Sequence, residues 1–532
     1  VYHHYLTASL LAALLTAASA GHAVSADAGT TKPASGAAKP LPRDATGPVK
    51  DEDFEHLFGD TSVSPDRTEA FFQDEWVTTA PEFANLTTTE AIAKRAEERA
   101  RQADAISSAS NAQWRQTAAG AEPFKAQMPG VKVRLGNEVL FESPELLARL
   151  KGKRVGLITN PSGVDSAFVS TVDKLAGHPE IKLTALFAPE HGVRGAERAG
   201  EKVETRVDER TGVTVHSLHG KDKKGRSQNK PRPSMLENVD ILMYDIQDIG
   251  NRSYTYPGTM KLCMQAAAEN GKEFWVLDRP NPMGGRLVSG NVADPAYLTL
   301  VGWAPVAYLY GLTPGELARW LNEETGIGCR LTVVPMQGWT RDMKWWDTGL
   351  PWIPTSTHMQ TPEACWYIAM TGTFGELNVI NEGVGYPLPF AYFGAPWMDP
   401  DRLAAELNRE GLPGLVFRPA YYRPYYHVFK DKMCGGVQIH ITDFDKVMPV
   451  EASMHIIAVI QRLYPEQEFL DAGAGAGPQK RRSRVAMFNK VMGTNKVRAA
   501  LKAGKSGAEV TAMWARERDR FAREREKYFL YH

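Results

Sequence analysis

A short apolar run released into a crowded polar loop occurs four times in this sequence, and that repetition limits what the chain can fold into. Residues 239–244 (VDILMY) are followed by DIQDIGNRSYTY, which carries Asp245, Gln247, Asp248, Asn251, Arg252, Tyr254 and Tyr256. Residues 154–158 (RVGLI) precede Asn160, residues 183–187 (LTALF) precede Glu190, His191 and Arg194, and residues 273–277 (EFWVL) precede Asp278, Arg279 and Asn281. Runs of this length suit strands buried on both faces of a parallel sheet. Ligands of open α/β sheets bind outside the carboxyl ends of the strands, so the active cleft is expected where these four loops meet.

Between the runs the pattern predicts helices over 144–150, 168–175 and 258–269, with a loop-rich insertion reaching to about 233. Strand alternating with helix argues for βαβ units with right-handed crossovers. The TPGE of residues 313–316 opens a further helix, with Thr313 as N-cap, Pro314 at the first helical position and Gly326 past the end. A strand at 330–336, a second α/β unit with a strand at 435–443 and a helix at 448–465, and a charged final helix over 506–532 complete the expectation. The fold class is α/β: a Rossmann-like parallel-sheet domain over 131–361, a smaller α/β domain over 362–532, and the cleft between them. Residues 340–400, rich in Trp, Tyr, Pro and Gly, form either the aromatic wall of a carbohydrate cleft or the hydrophobic seam of a domain junction.

At 532 residues the chain is too long for one core. Lys plus Arg equals Asp plus Glu at 62 each, which removes any bulk electrostatic case for nucleic acid as a partner. Residues 6–20 are apolar and are followed by small-residue cleavage patterns, so residues 1–26 read as an export signal and the protein as periplasmic or secreted. No later segment supplies a membrane span. Residues 27–50 read as a flexible low-complexity tether and 51–130 as a helical extension with a Thr-x-x-Glu capping box at 87–90. The four cysteines form no CxxC or zinc pattern and are either buried thiols or one or two disulfides.

Glu190 follows an apolar run and Pro189, which places it in a concave, partly desolvated position where a carboxyl group can act as an acid. The alternative is a carboxylate that caps a helix or pairs with Arg194. Asp245 and Asp248 could supply the second carboxylate of a glycoside hydrolase, hydrogen bonds to sugar hydroxyls, or oxygen ligands for Mg²⁺ or Ca²⁺. No EF-hand, HExxH or phosphate-loop pattern supports a metal, and no G-x-S-x-G elbow supports an esterase. Arg252 and Arg279 suit either bidentate pairing with a substrate carboxylate or salt bridges to neighbouring Asp residues. His191 orients Glu190 or bonds the main chain; Tyr254 and Tyr256 line a cleft or fill a core. Neither GVGYPLPF nor GAGAGP has the strand–turn–helix setting of a dinucleotide loop.

The motifs GLITNPSGVD, LFAPEHGVRG, YDIQDIGNRSYTY, DRPNPMGG, GLTPGELA and GAPW, in this order, resemble the peptidoglycan exo-β-N-acetylmuramidase family of NamZ type, formerly a domain of unknown function. The resemblance runs from about residue 131 to the final YFLYH. It implies release of terminal, non-reducing N-acetylmuramic acid from peptidoglycan fragments without a cofactor. It implies Glu190 as general acid/base, a second carboxylate such as Glu382 or Asp248, and substrate contacts at Asn160, His191, Arg194, Asp245, Gln247, Arg252, Tyr254, Tyr256, Asp278, Arg279 and Asn281. The family's N-x-x-E-G segment falls on Asn378 or Asn381 with Glu382 and Gly383. The sequence departs from the family where many members carry Ser-Glu-Gly-Arg-Gly-Thr, since Val384 replaces the arginine, and where many carry Ser-Pro-Asn-Met-Pro, since residues 356–360 read STHMQ and include His358.

Overall fold

The computed structural model describes residues 126, 128–193, 205–220, 228–471 and 484–532. The signal, the tether, nearly all of the 51–130 extension and Arg194 lie outside these residues. A seven-stranded sheet is built from β1 (Arg154–Thr159), β2 (Lys182–Ala188), β3 (Arg206–Val207), β4 (Thr214–Ser217), β5 (Ile241–Asp245), β6 (Glu273–Leu277) and β9 (Arg330–Val334), in the order β3-β4-β2-β1-β5-β6-β9. All pairings are parallel except β3 with β4. The four apolar runs are thus its central strands. The stretch read as loop between β2 and residue 233 also holds β3 and β4, whose four residues or fewer give too little pattern to recognise.

Side chains alternate across this sheet. Leu242, Tyr244, Phe274 and Val276 face helices Thr255–Glu269 and Pro314–Glu324, meeting Met260, Met264, Leu317 and Leu321. Met243, Trp275 and Leu157 face the other way, towards Leu140, Leu150, Val172 and Leu175. Both faces are covered, which is why these strands lack a polar side. Strand order reverses between β1 and β5, so their carboxyl ends diverge and leave a crevice there.

Local signals fix several helix starts. Thr313 accepts from Glu316 N while the Glu316 side chain accepts from Thr313 N, a reciprocal cap on Pro314–Glu324. The helix expected from residue 168 begins at Thr171, because Phe168 takes φ +65° and Ser170 supplies the cap. The helix expected from residue 258 starts three residues earlier, at Thr255.

The remaining strands are the ribbon of β7 (Ser289–Val292) with β8 (Ala307–Leu309), and a three-stranded antiparallel sheet of β10 (Tyr392–Ala395), β11 (Leu415–Tyr422) and β12 (Cys434–Ile441) in the order β10-β12-β11. Helices Ala364–Gly375 and Pro449–Leu463 join this sheet in one hydrophobic core, which extends to Ile249 after β5 and Met283 after β6. The second α/β unit is therefore packed directly against the loops that end the parallel strands.

The final helix expected over 506–532 is instead divided into Gly507–Ala512, Ala515–Glu524 and a 3₁₀ turn at Arg525–Tyr528. The break places Trp514 at 3% exposure in the second core and lets the last residues return to the parallel sheet. There Tyr531 donates to Asp278 at 2.6 Å and Leu530 N donates to Glu316 at 2.9 Å. Tertiary anchoring overrides helix propensity here. All four cysteines are buried free thiols, and among the described residues no helix is long and apolar enough to cross a membrane.

Candidate active site

The loops at the strand ends are tied to one another before they offer anything to a ligand. Asp245, fully buried at the end of β5, accepts from Thr171 Oγ1 at 2.6 Å and pairs with Arg279 Nε at 2.6 Å; Arg279 also donates to Val164 O. Asn160 donates to Thr355 O and accepts from Ser162, whose hydroxyl in turn accepts from Gln247 N. The Gln247 amide donates to Asp248 O and Pro280 O, each at 2.7 Å. Asp278 accepts from Thr313, Gly315 N and Tyr531, and Asn281 donates to Leu312 O. Arg252 has no exposed surface: it donates to Asn291 O, Val306 O and Met492 O at 2.7–2.8 Å. Arg279 thus takes the salt-bridge alternative, whereas Arg252 is met by main-chain carbonyls rather than by an Asp carboxylate.

Glu190 stands apart from that frame. It follows β2 in a turn where His191 and Gly192 take φ +69° and +77°, and its side chain is 16% exposed. Thr255, the first residue of helix Thr255–Glu269, donates to Glu190 Oε2 at 2.8 Å, and His219 Nε2 lies 3.8 Å from Oε1. Tyr256 OH donates to Thr355 O at 2.7 Å and lies 3.5 Å from the main-chain oxygen of Glu190.

The second unit brings its own acids to this place. A cavity of about 790 Å³ is lined by Ser253 and Tyr254 after β5, by Thr357 and His358, and by Glu376, Asn378, Glu382, Phe390, Tyr425, Tyr426, His427 and Arg484. Glu382 is 6% exposed; its Oε1 lies 3.4 Å from His427 Nε2 and its Oε2 has no partner among the described residues. Its carboxyl group lies on Gly375, where a Cβ would sit 2.7 Å from the carboxyl carbon, so any larger residue would displace it. Burial raises the proton affinity of Glu376; Arg484 opposes that shift, Glu382 adds to it, His427 opposes it and Glu190 adds to it. Glu190 therefore acts electrostatically on the same site as the two acids of the second unit. His358 is held below the usual histidine range, first by burial, and its ring stacks on Tyr426 at 22°.

Of the residues expected to form the site, Tyr254, His358, Asn378 and Glu382 line the cavity, while Glu190 and His191 are outside the lining and near enough to act electrostatically on Glu376 and His358 respectively. Asn160, Asp245, Gln247, Arg252, Tyr256, Asp278, Arg279 and Asn281 build the frame behind it. Asp248, at 2% exposure, accepts from Tyr310 and Gly250 N and is not part of the lining, so the acids that line the cavity are Glu382 and Glu376. Sequence reasoning missed Glu376, Tyr425, Tyr426, His427 and Arg484. Two glutamates six residues apart in GELNVINEG were the available signal for Glu376. The aromatic stretch 340–400 is mostly seam: Trp346 stacks on Trp366, Trp345 packs edge-on to Trp352, and Trp397 packs against Tyr464.

Burial pushes the Asp248 carboxyl up to about 6, against the hydrogen bonds that favour its charge. A folded value above the unfolded one contributes stability that is complete below about pH 4 and is lost as pH rises through about 6. Asp248→Asn is expected to remove that slope. Unfolding free energies from urea should be similar for the two proteins near pH 4, where both side chains are neutral, and Asp248→Asn should be the more stable by on the order of 2–3 kcal/mol at pH 7. Parallel curves at all pH values would show that Asp248 keeps one protonation state throughout.

Residues 155–363 match the family model described as exo-β-N-acetylmuramidase NamZ, N-terminal, and residues 366–531 match its C-terminal counterpart. A curated relative, the peptidoglycan β-N-acetylmuramidase NamZ of Bacillus subtilis (strain 168), is 42% identical over 416 residues, which cover 78% of this chain and 96% of the relative. A solved structure of a DUF1343 family protein from Bacteroides fragilis NCTC 9343 is 43% identical with a TM-score of 0.69, covering 76% of this chain and 100% of that one. A second protein of that family from the same organism is 28% identical with a TM-score of 0.57, covering 75% and 99%.

Proposed function

The chain belongs to the exo-β-N-acetylmuramidase NamZ family of glycoside hydrolases, and from that membership we propose that it releases terminal, non-reducing N-acetylmuramic acid from peptidoglycan fragments with Glu190 as general acid/base. The observation that supports this reading is a cavity large enough for a sugar, lined by Glu376 and Glu382 of the second unit, with Glu190 at the end of a parallel strand near enough to act electrostatically on Glu376. Glycoside hydrolysis needs two carboxyl groups flanking the scissile bond.

In the proposed reaction Glu190 gives its proton to the glycosidic oxygen as the bond to the anomeric carbon breaks. Water adds to that carbon, and its proton restores the acid/base pair. Glu382, with an oxygen unpartnered among the described residues, either stabilises the positive charge developing at the anomeric carbon or takes the proton of the attacking water. Glu376, whose proton affinity is raised first by burial, is the third carboxyl group near the substrate. The apolar stretch 6–20 with the small residues that follow it supports export to the compartment where peptidoglycan lies.

The test is mass-spectrometric detection of free sugar after incubation with a muramic acid–glucosamine disaccharide and with digested peptidoglycan. Free N-acetylmuramic acid is expected from both. Release of larger fragments without the monosaccharide would overturn the exo assignment, and no cleavage of either would overturn the substrate.

A further inference from the structure

N-acetylmuramic acid carries a lactyl ether that ends in a carboxylate, and N-acetylglucosamine does not. A cavity that takes the acid must accept a negative charge beside Glu190, Glu376 and Glu382. Bringing a carboxylate out of water among other carboxylates is unfavourable unless a cation meets it.

Among the described residues, few groups near the cavity can be that cation; His427, which also lines it, faces Glu382 at 3.4 Å. Arg252 is fully buried outside the cavity lining with both Nη atoms on main-chain carbonyls, and Arg279 is held by Asp245 and Val164 O. His358, its proton affinity lowered by burial, is neutral at pH 7. Val384, buried at 5% exposure, presents only hydrocarbon to the cavity. Arg484 lines the same cavity with a side chain that is 51% exposed. Among the described residues its ion pair is with Glu376 at 3.9 Å, too long for a hydrogen bond, which leaves guanidinium donors open towards the cavity. The main chain beneath it is fixed: Arg484 N donates to Leu377 O at 2.9 Å, and Arg484 O accepts from Met487 N at the start of helix Val485–Met492. That helix is held at its other end by Arg252, which donates to Met492 O. A half-exposed guanidinium on an anchored stem is suited to receive a planar anion.

We infer that Arg484 binds the lactyl carboxylate of the terminal muramic acid through a paired, charge-assisted contact, and thereby sets the preference for muramic acid over glucosamine. Arg484 is a specificity residue for the reaction proposed above, and its assignment rests on that reading. Glu376 competes only weakly for the guanidinium, since its nearest oxygen is 3.9 Å away.

The experiment compares the full chain with Arg484→Gln and Arg484→Lys on two chromogenic β-glycosides: that of N-acetylmuramic acid and its lactyl amide, which has the same shape without the charge. Arg484→Gln is expected to lower the ratio of kcat/KM for the acid over the amide by roughly ten- to a hundredfold, chiefly through KM for the acid, as expected for one charged hydrogen-bonded contact. Arg484→Lys should recover part of the ratio. An unchanged ratio, even with lower rates on both, would overturn the inference by showing a structural role. Calorimetric binding of free N-acetylmuramic acid and N-acetylglucosamine separates the two readings. Binding of the acid that depends on Arg484, with no cleavage of either glycoside, would keep Arg484 as the carboxylate ligand and sink the reaction. Equal binding of both sugars by the wild type would sink the assignment of Arg484.

Discussion

Replacing Glu190 with Gln is expected to lower the rate of sugar release by about 10²–10⁴-fold, the range for removing a positioned general acid/base, with KM little changed. Gln keeps the size of the side chain and an oxygen able to accept from Thr255 Oγ1, which donates to Glu190 at 2.8 Å. The turn is set by its backbone, with His191 and Gly192 in the left-handed region, so it does not depend on the carboxyl group. What the substitution removes is the transferable proton. Initial rates of free N-acetylmuramic acid release from the disaccharide, with KM measured alongside, give the comparison. A loss of only a few fold would take the acid/base role from Glu190 and give it to Glu376, whose burial and acidic neighbours already favour the protonated form. Thermal unfolding of Glu190→Gln close to that of the wild type would confirm that the loss is chemical.

Arg252→Met is expected to destabilise the protein by about 3–5 kcal/mol, the cost of leaving several buried carbonyl oxygens without a donor. Three elements meet on this guanidinium: β7 through Asn291 O, the segment before β8 through Val306 O, and helix Val485–Met492 through Met492 O. The helix supplies its carboxyl-terminal carbonyls, which favour a cation there. Burial lowers the Arg252 pKa to about 10, which still leaves it charged at neutral pH. Met fills much of the volume but leaves those carbonyls without a donor, each at a cost of about 1–3 kcal/mol. Urea unfolding should show the midpoint falling, and activity should fall with it, since the same helix begins at Arg484 beside the cavity. A shift below about 1 kcal/mol would mean that water replaces the guanidinium at these oxygens.

The parallel strands were legible because each is a local pattern. A continuous apolar run such as ILMY at 241–244 has no polar side to expose, so it belongs between two layers of helices, and the Thr313-Pro314-Gly315-Glu316 cap marks its helix within four residues. The same logic placed Glu190 at a strand end. It did not separate Glu190 from Asp245, Asp248, Asp278, Arg252 and Arg279, which share the same kind of position and composition.

What distinguishes those residues is their partners, and the partners are distant in sequence. Asp278 is met by Tyr531, 253 residues on, and Arg252 by Met492, 240 residues on. A buried charge whose hydrogen bonds are filled by its own chain is framework, whereas one whose oxygen or donors stay open towards a cavity is available for chemistry. Glu376, Glu382, His427 and Arg484 became site residues only when the antiparallel unit packed onto the loops of the parallel sheet. The approach requires Gly375 beneath the Glu382 carboxyl group and Gly385, at φ +87°, where a Cβ would overlap the Tyr426 carbonyl oxygen. The sequence by itself determined the strands, the caps and the end of the sheet at which a site could form, because periodicity and capping act over a few residues. Tertiary packing alone decided which charged groups neutralise one another and which face the cavity, because electrostatic pairing and burial depend on distance in space.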